Sequence, residues 1–315
     1  MNIIVTGAAG FIGSHLTEAL LEAGHHVIGI DNFLTGDKKN LEPFSHESRF
    51  TFKEQDITFP FFTEESIHQI YHLACPASPL DYQNFPLETL WTSACGTRNV
   101  LELARKHDAK FLFTSTSEVY GDPLVHPQTE NYFGNVHCIG PRSCYDEGKR
   151  FAESFIVNYS KIHGVSYKIV RIFNTYGPRM RLYDGRVIPN FISNALYGKP
   201  LWIYGRGEQT RSFCYISDMV EGLLSMMETS DFSGPVNLGN QEEISMITLA
   251  KNIIELSNSS SSIDFRDPLP EDPQKRCPDI TLAQNRLAFQ PKIPLKVGLQ
   301  KTIEWFKNEL NTFLL

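Results

Sequence analysis

The first thirty-one residues constrain the fold more than any other part of the chain. NIIVTG is apolar and β-branched, as a buried strand requires. Gly7, Gly10 and Gly13 follow at intervals of three, and FIGSHLTEALLEAG carries Ile12, Leu16, Ala19, Leu20 and Ala23 at helical spacing until Gly24 stops it. HVIGID then reads as a second buried strand. Strand, glycine turn, helix and strand in that order predict neighbouring parallel strands with the helix packed across them.

Glycines at such a junction allow a tight turn, close approach of the backbone to a pyrophosphate, and close packing of helix on strand. The helix N-terminus would offer oriented N–H groups to the phosphates. A tight strand–helix connection alone would explain the glycines, but Asp31 closes the second strand 18 positions after Gly13. That is where an acid binds the adenosine ribose hydroxyls of a dinucleotide. Asp31 would repel a 2′-phosphate and no arginine follows it at once, so NAD is favoured over NADP.

The alternation continues. RFTFKEQDI, QIYHLA, KFLFTSTS and SYKIVRIFNTYG read as strands, with a helix from about Leu87 to Lys106. GPRSCYDEGKRFAESFIVNYSKIHG reads as a long helix that places Phe151, Phe155, Tyr159 and Ile162 on one face and ends at Gly164. The predicted class is α/β, a Rossmann-type doubly wound parallel sheet. After Gly177 the pattern loosens into a smaller C-terminal domain. There VIPNFISNALYGKP and ITLAKNIIELSN look helical, and LWIYG, RSFCYI and VNLGN look like short strands. SNSSSS reads as a flexible loop, and DPLPEDPQKRCPD as a proline-rich loop without regular structure.

Bulk properties exclude several classes. A formal charge of -7 over 315 residues argues against a nucleic-acid-binding surface. No apolar run is long enough to cross a bilayer, and no signal peptide is recognisable at the start. The six cysteines form no CxxC pair, so neither a disulfide framework nor a metal site is expected, and reduced thiols in a cytoplasmic protein fit best.

TSTSEVYGDP sets Glu118 directly after four hydroxyl residues, at the end of an apolar strand. A carboxylate there is costly unless something pairs with it or uses it. On the long helix, Tyr145 and Lys149 are four apart and share a face. A free tyrosine, with a pKa near ~10, is a poor base at neutral pH. A neighbouring ammonium favours the phenolate and brings it toward the working range.

TGxxGxxG at the start, Tyr-x-x-x-Lys on a helix and a hydroxyl on the preceding strand resemble the extended short-chain dehydrogenase/reductase family. Within it, STSEVYGDP, VHPQ, IGPRSCYDEGKR, RIFNTYGPRM, DGRV, QTRSF and EDPQKRCPD closely resemble the UDP-glucuronate decarboxylases, over essentially the whole chain. The resemblance implies NAD-dependent decarboxylation of UDP-glucuronate to UDP-xylose through a 4-keto sugar, with the hydride recycled internally. Thr116, Glu118, Tyr145, Lys149 and Arg276 take the catalytic positions. Gly7, Gly10, Phe11, Ile12, Gly13, Asp31, Asn32, Asp56, Ile57 and Leu73, with Tyr145 and Lys149, take the NAD positions. Tyr82 and Arg142 match the glucuronate end, and Asn174, Arg179 and Arg211 the nucleotide-sugar region.

It also implies an NAD-binding domain over residues 1–173, rejoined by about 212–240, and a nucleotide-sugar-binding domain from 174–211 and 241–315. A homodimer would form through the Leu87–Lys106 helix and the Tyr145 helix. The chain departs from the family pattern at His137 and Cys138, at Ser93 and at Cys75, none of which removes an essential group. His72 suits a structural role as well as a cofactor contact. Rival readings are a 4-epimerase, a 4,6-dehydratase, a decarboxylase that releases the keto-pentose, and a non-catalytic NAD sensor.

Overall fold

The computed structural model describes residues 1–268 and 275–313, with side chains to residue 310. Leu269 to Gln274, which include the first four residues of the expected EDPQKRCPD motif, lie outside the described residues. Seven strands form the main sheet: β1 (Asn2–Thr6), β2 (His26–Asp31), β3 (Phe50–Glu54), β4 (Gln69–His72), β5 (Lys110–Thr116), β6 (Tyr167–Ile172) and the short strand Val236–Leu238. Their spatial order is Val236–Leu238, β6, β5, β4, β1, β2, β3, and every pairing is parallel. The chain winds outward from β1 to β3, then returns to place β4 on the other side of β1. The switch point between β1 and β4 opens a crevice at the carboxyl ends of the strands, where such sheets bind ligands.

Side-chain alternation fixes the register. Ile3, Val5, Leu112 and Val170 enter one core layer, while Ile4, Ile70, Phe111, Phe113 and Ile169 enter the other. Burying each such side chain contributes about 1.5–3 kcal/mol, and a one-residue slip would exchange the two layers.

The glycine turn is sterically obligatory. Gly7 adopts φ +75°, and a Cβ on it would lie 2.9 Å from the Ala74 nitrogen. A Cβ on Gly13 would lie 2.0 Å from the Gly7 carbonyl oxygen, so the helix Phe11–Glu22 rests directly on the turn.

The segment expected as one helix from about Leu87 to Lys106 is a helix Pro86–Trp91, a π-helical stretch Thr92–Gly96 and a helix Thr97–His107. Close packing accompanies the widened stretch: a Cβ on Gly96 would meet Ile57 at 2.8 Å, and Ser93 sits against Gly148 of the long helix. The long helix spans Ser143–His163 and ends at Gly164 in a left-handed conformation. Ala152 and Ile156 face the core, whereas Phe151 and Ile162 are exposed. The face read from the sequence is therefore divided: Phe151 and Ile162 look outward, whereas Tyr159 is buried in the core and Phe155 packs against it.

The smaller part contains helices Val187–Leu196, Met246–Ser257 and Leu295–Phe313 around short sheets. The last of these, and the helix Ile216–Glu228 under the main sheet, were not legible in the sequence. The serine run is tied down through Ser259, whose hydroxyl donates to the Ala195 carbonyl at 2.7 Å. The proline-rich stretch also departs from expectation, because Lys275–Arg276 forms a parallel strand beside Thr210–Arg211. Among the described residues, no helix is long and apolar enough to cross a membrane.

Candidate active site

A cavity of about 790 Å³ begins at the glycine turn, passes the ends of β4 and β5, and ends among Trp202, Tyr204, Arg211 and Arg276. At its first end, the helix Phe11–Glu22 starts without a side-chain cap, leaving first-turn N–H groups open toward the cavity mouth. Asp31 accepts hydrogen bonds from the Ala9 nitrogen at 3.0 Å and the Phe33 nitrogen at 2.9 Å. Burial pushes its carboxyl up and those backbone donors oppose the shift. Asp31 thus braces the glycine turn, a role beyond the ribose contact that the sequence suggested. Asn32 donates to Asp56 at 3.3 Å, and Asn99 holds the Ile57 carbonyl at 2.9 Å, so the expected adenosine-side residues form one hydrogen-bonded rim. The Leu73 nitrogen donates to the Thr6 carbonyl at the switch point. Open helix N–H groups, a turn that lacks a Cβ at Gly7, Gly10 and Gly13, and an acid after β2 fit a dinucleotide.

At the end of β5, Thr116 presents its hydroxyl to two neighbours. It accepts from the Glu118 nitrogen at 3.2 Å, capping the turn Ser117–Tyr120, and it hydrogen-bonds the Tyr145 hydroxyl. Lys149 is buried, donates to the Thr114 carbonyl at 2.8 Å and lies 4.6 Å above the Phe113 ring. Burial pushes the Tyr145 phenol above the ordinary tyrosine range despite the Thr116 bond, and burial pushes the Lys149 ammonium down. Lys149 lies 5.9 Å from the Tyr145 ring centroid and donates to a main-chain carbonyl, and desolvation is the largest influence on the phenol. His72 bonds Thr6 at 2.8 Å and Thr97 at 3.2 Å, and burial brings its pKa down to about 3, so it is a neutral structural residue.

Glu118 is held between two guanidinium groups. Its Oε1 pairs with Arg276 and its Oε2 with Arg142. Burial alone would raise its carboxyl, but Arg276 and Arg142 outweigh it and hold the group below the usual range. The carboxylate that looked costly in the sequence is an anion matched by two cations. Arg276 was expected as its partner, whereas Arg142 was expected only at the sugar. Tyr82 stacks on Tyr145, and Asn174 donates to the Ser212 carbonyl at 3.3 Å near Arg211. Arg179 reaches the other side of the cavity, pairing at 2.7 Å with Glu18 of the helix after the glycine turn.

Sequence reasoning missed Asp146, which follows Tyr145 and is 6% exposed; burial and the nearby Glu118 raise its pKa to about 7. It also missed the ion pair of Arg181 with Asp81 at the cavity wall. Neither has a signal in spacing. His137 and the exposed Cys138 lie on the loop before the long helix, and Cys75 meets Ser93 at 3.8 Å behind the tyrosine.

The model of the NAD dependent epimerase/dehydratase family matches residues 3–239. UDP-glucuronic acid decarboxylase 6 of Arabidopsis thaliana is 51% identical over 311 residues, covering 98% of this chain and 90% of that protein. UDP-glucuronic acid decarboxylase 1 of Xenopus tropicalis is 50% identical, covering 98% and 73%. Among solved structures, the UDP-glucuronic acid 4-epimerase of Bacillus cereus in complex with UDP-glucuronic acid and NAD superposes with a TM-score of 0.87 at 31% identity, covering 98% of this chain and all of that one. UDP-glucose 4-epimerase from Thermotoga maritima gives 0.91, also at 31% identity and with the same coverage. A doubly wound sheet, a dinucleotide turn and a Thr–Tyr–Lys cluster agree with these likenesses, and the chain belongs to the NAD-dependent epimerase/dehydratase family.

Proposed function

We propose that this protein decarboxylates UDP-glucuronate to UDP-xylose, with Thr116, Tyr145, Lys149, Glu118 and Arg276 as its working residues. The observation that carries this reading is the Arg276–Glu118–Arg142 cluster at the Thr116–Tyr145 end of the cavity. It offers the paired charges that a sugar carboxylate needs, and relatives of about 50% identity carry the decarboxylase name.

The glycine turn, Asp31 and the Asn32–Asp56 rim would hold NAD, which would supply a reversible hydride acceptor for sugar C4. Tyr145 removes the C4 hydroxyl proton as the ketone forms, and Lys149 favours the phenolate. The ketone lies β to the carboxylate on C5, so the C5–carboxylate bond breaks, carbon dioxide leaves, and its electron pair enters an enolate. Thr116 and Tyr145 direct their hydroxyls at the enolate oxygen. Glu118 and Arg276 orient the sugar and manage the proton that returns to C5. The described residues of 174–211 and 241–315 form the nucleotide-sugar side of the cleft, opposite the NAD side.

The working form is a homodimer. Leu87, Trp91, Phe151 and Ile162 expose apolar surface on the adjacent helices Pro86–Trp91 and Ser143–His163, a face suited to a second copy. All six cysteines are free, which suits the reducing cytoplasm.

Purified protein given UDP-glucuronate labelled in the carboxylate tests the reading, with carbon dioxide, sugar product and NADH followed together. Carbon dioxide with UDP-xylose and no net NADH supports it. Stoichiometric NADH indicates a keto-pentose product, and retained label points to epimerase, dehydratase or sensor.

A further inference from the structure

The segment that carries Arg276 has only a two-residue ladder on one side, Lys275 beside Thr210 and Arg276 beside Arg211. Its other side is held by Gln128, a fully buried residue that acts as a one-residue strand. The Gln128 nitrogen donates to the Cys277 carbonyl at 2.9 Å, and the Gln128 carbonyl accepts from the Asp279 nitrogen at 2.8 Å. The side-chain oxygen of Gln128 accepts from the Cys277 nitrogen at 2.9 Å, and its amide nitrogen donates to the Val125 carbonyl at 2.8 Å.

Asn237, on the edge strand Val236–Leu238 and also fully buried, joins this clip to the opposite partner of the ion pair. Its amide nitrogen donates to the carbonyls of Gln128 at 3.0 Å and Asp279 at 3.2 Å. Its amide oxygen accepts from the Tyr120 hydroxyl at 2.7 Å. Tyr120 closes the same short turn that carries Glu118, and Arg171 clamps it by donating to its oxygen at 3.0 Å while pairing with Glu153 at 2.7 Å. One buried amide thus ties the Glu118 turn to the Arg276 segment.

We infer that Asn237 and Gln128, which lie outside the cavity lining, are positioning residues that hold Arg276 against Glu118 and so present it to the sugar. The assignment rests on the proposed function only for the sugar; the anchoring itself is independent of it. Buried, fully satisfied polar groups of this kind specify one arrangement, and removing one leaves its partners unpaired at about 1–3 kcal/mol each. The cost falls first on the short Arg276 strand, because Gln128 and Asn237 hold the residues that directly follow it.

Cys277, buried beside Arg276, gives a readout independent of catalysis. In Asn237→Ala, alkylation of Cys277 followed by peptide mass spectrometry should accelerate about tenfold, while Cys214 in the main core stays as slow as in the parent protein. Affinity for UDP-glucuronate should fall about tenfold and affinity for UDP, which lacks the sugar, should hold. Tyr120→Phe, which removes the bonds of that hydroxyl to Asn237 and Arg171 but leaves Asn237 on the Gln128 and Asp279 carbonyls, should move both readouts in the same direction by a smaller factor. An unchanged Cys277 rate in both variants overturns the assignment, as does equal acceleration of Cys277 and Cys214 in both, which would mean general loosening. If the parent protein binds UDP-glucuronate no better than UDP, the decarboxylase reading fails while the Cys277 rates still decide the anchor.

Discussion

The ring of Tyr82 lies flat on the ring of Tyr145, with centroids 5.1 Å apart and planes 8° from parallel. Tyr82 comes from the short helix Pro79–Asn84 and Tyr145 from the first turn of the long helix, so the stack fixes a reacting phenol from outside its own element. The Tyr82 hydroxyl is buried without a hydrogen-bond partner among the described residues. An unpaired buried hydroxyl is costly unless a ligand completes it.

Tyr82→Phe should keep the stack and change stability by no more than about 1 kcal/mol, because no protein bond is lost. KM for UDP-glucuronate should rise several-fold with kcat less affected. Tyr82→Ala should lose the stack as well, costing about 3–5 kcal/mol and lowering kcat. Steady-state kinetics beside thermal melts separate the two, and an unchanged KM in Tyr82→Phe would argue against a substrate contact.

Glu118→Gln replaces an anion with a neutral amide between Arg142 and Arg276 and removes the negative charge that the buried Arg276 is paired with. NAD binding, at the other end of the cavity, should remain. Carbon dioxide release should slow on the order of 100-fold, within the usual range for a group that handles protons. Turnover equal to the parent protein would remove Glu118 from the mechanism.

Asp146 predicts an inverted pH effect on stability. Burial and the nearby Glu118 raise its pKa from an ordinary 3.8 to about 7, so between these values the folded protein holds a proton that the unfolded chain has lost. Stability from this group therefore falls as pH rises through that window and is flat above it. Glu118, held below its usual range, acts oppositely: its contribution is present above the unfolded pKa and is lost in acid. Asp146→Asn should melt higher than the parent protein at pH 8, by an amount on the order of 2 kcal/mol, and the advantage should vanish near pH 4. Melting temperatures across pH 4–9 would reveal it, and a constant offset at every pH would contradict it.

Gly13→Ala should abolish NAD binding and destabilise the fold by at least about 1–3 kcal/mol, since its methyl would sit 2.0 Å from the Gly7 carbonyl oxygen. Titration with NAD and thermal unfolding would both respond. A variant that binds NAD normally would show that the helix can move off the turn without cost.

Trp91→Asp with Phe151→Glu should convert the proposed dimer to a folded monomer, because both side chains are exposed. Analytical ultracentrifugation reads the outcome directly. A parent protein that is already monomeric would refute the proposed assembly.

Local chemistry was written plainly in the sequence. The glycine turn, the helix after it, Asp31, the strand pattern of β1 to β6 and the Tyr145–Lys149 pair each follow from spacing within a few residues, because period and turn sterics act at short range. The resemblance of the longer motifs named Glu118 and Arg276, though no local rule joins residues 158 positions apart. Tertiary structure decided what lay between them. It gave Glu118 a second cation in Arg142, set Tyr82 on Tyr145, left Phe151 and Ile162 exposed while burying Tyr159 of the same face, and made Gln128 and Asn237 the anchors of a short strand that the sequence presented as loop. It also set the charge states, since desolvation around Tyr145, Lys149 and Asp146 depends on every element packed against them. Burial and long-range pairing are properties of the assembled sheet and cleft, and they appear only once distant segments meet.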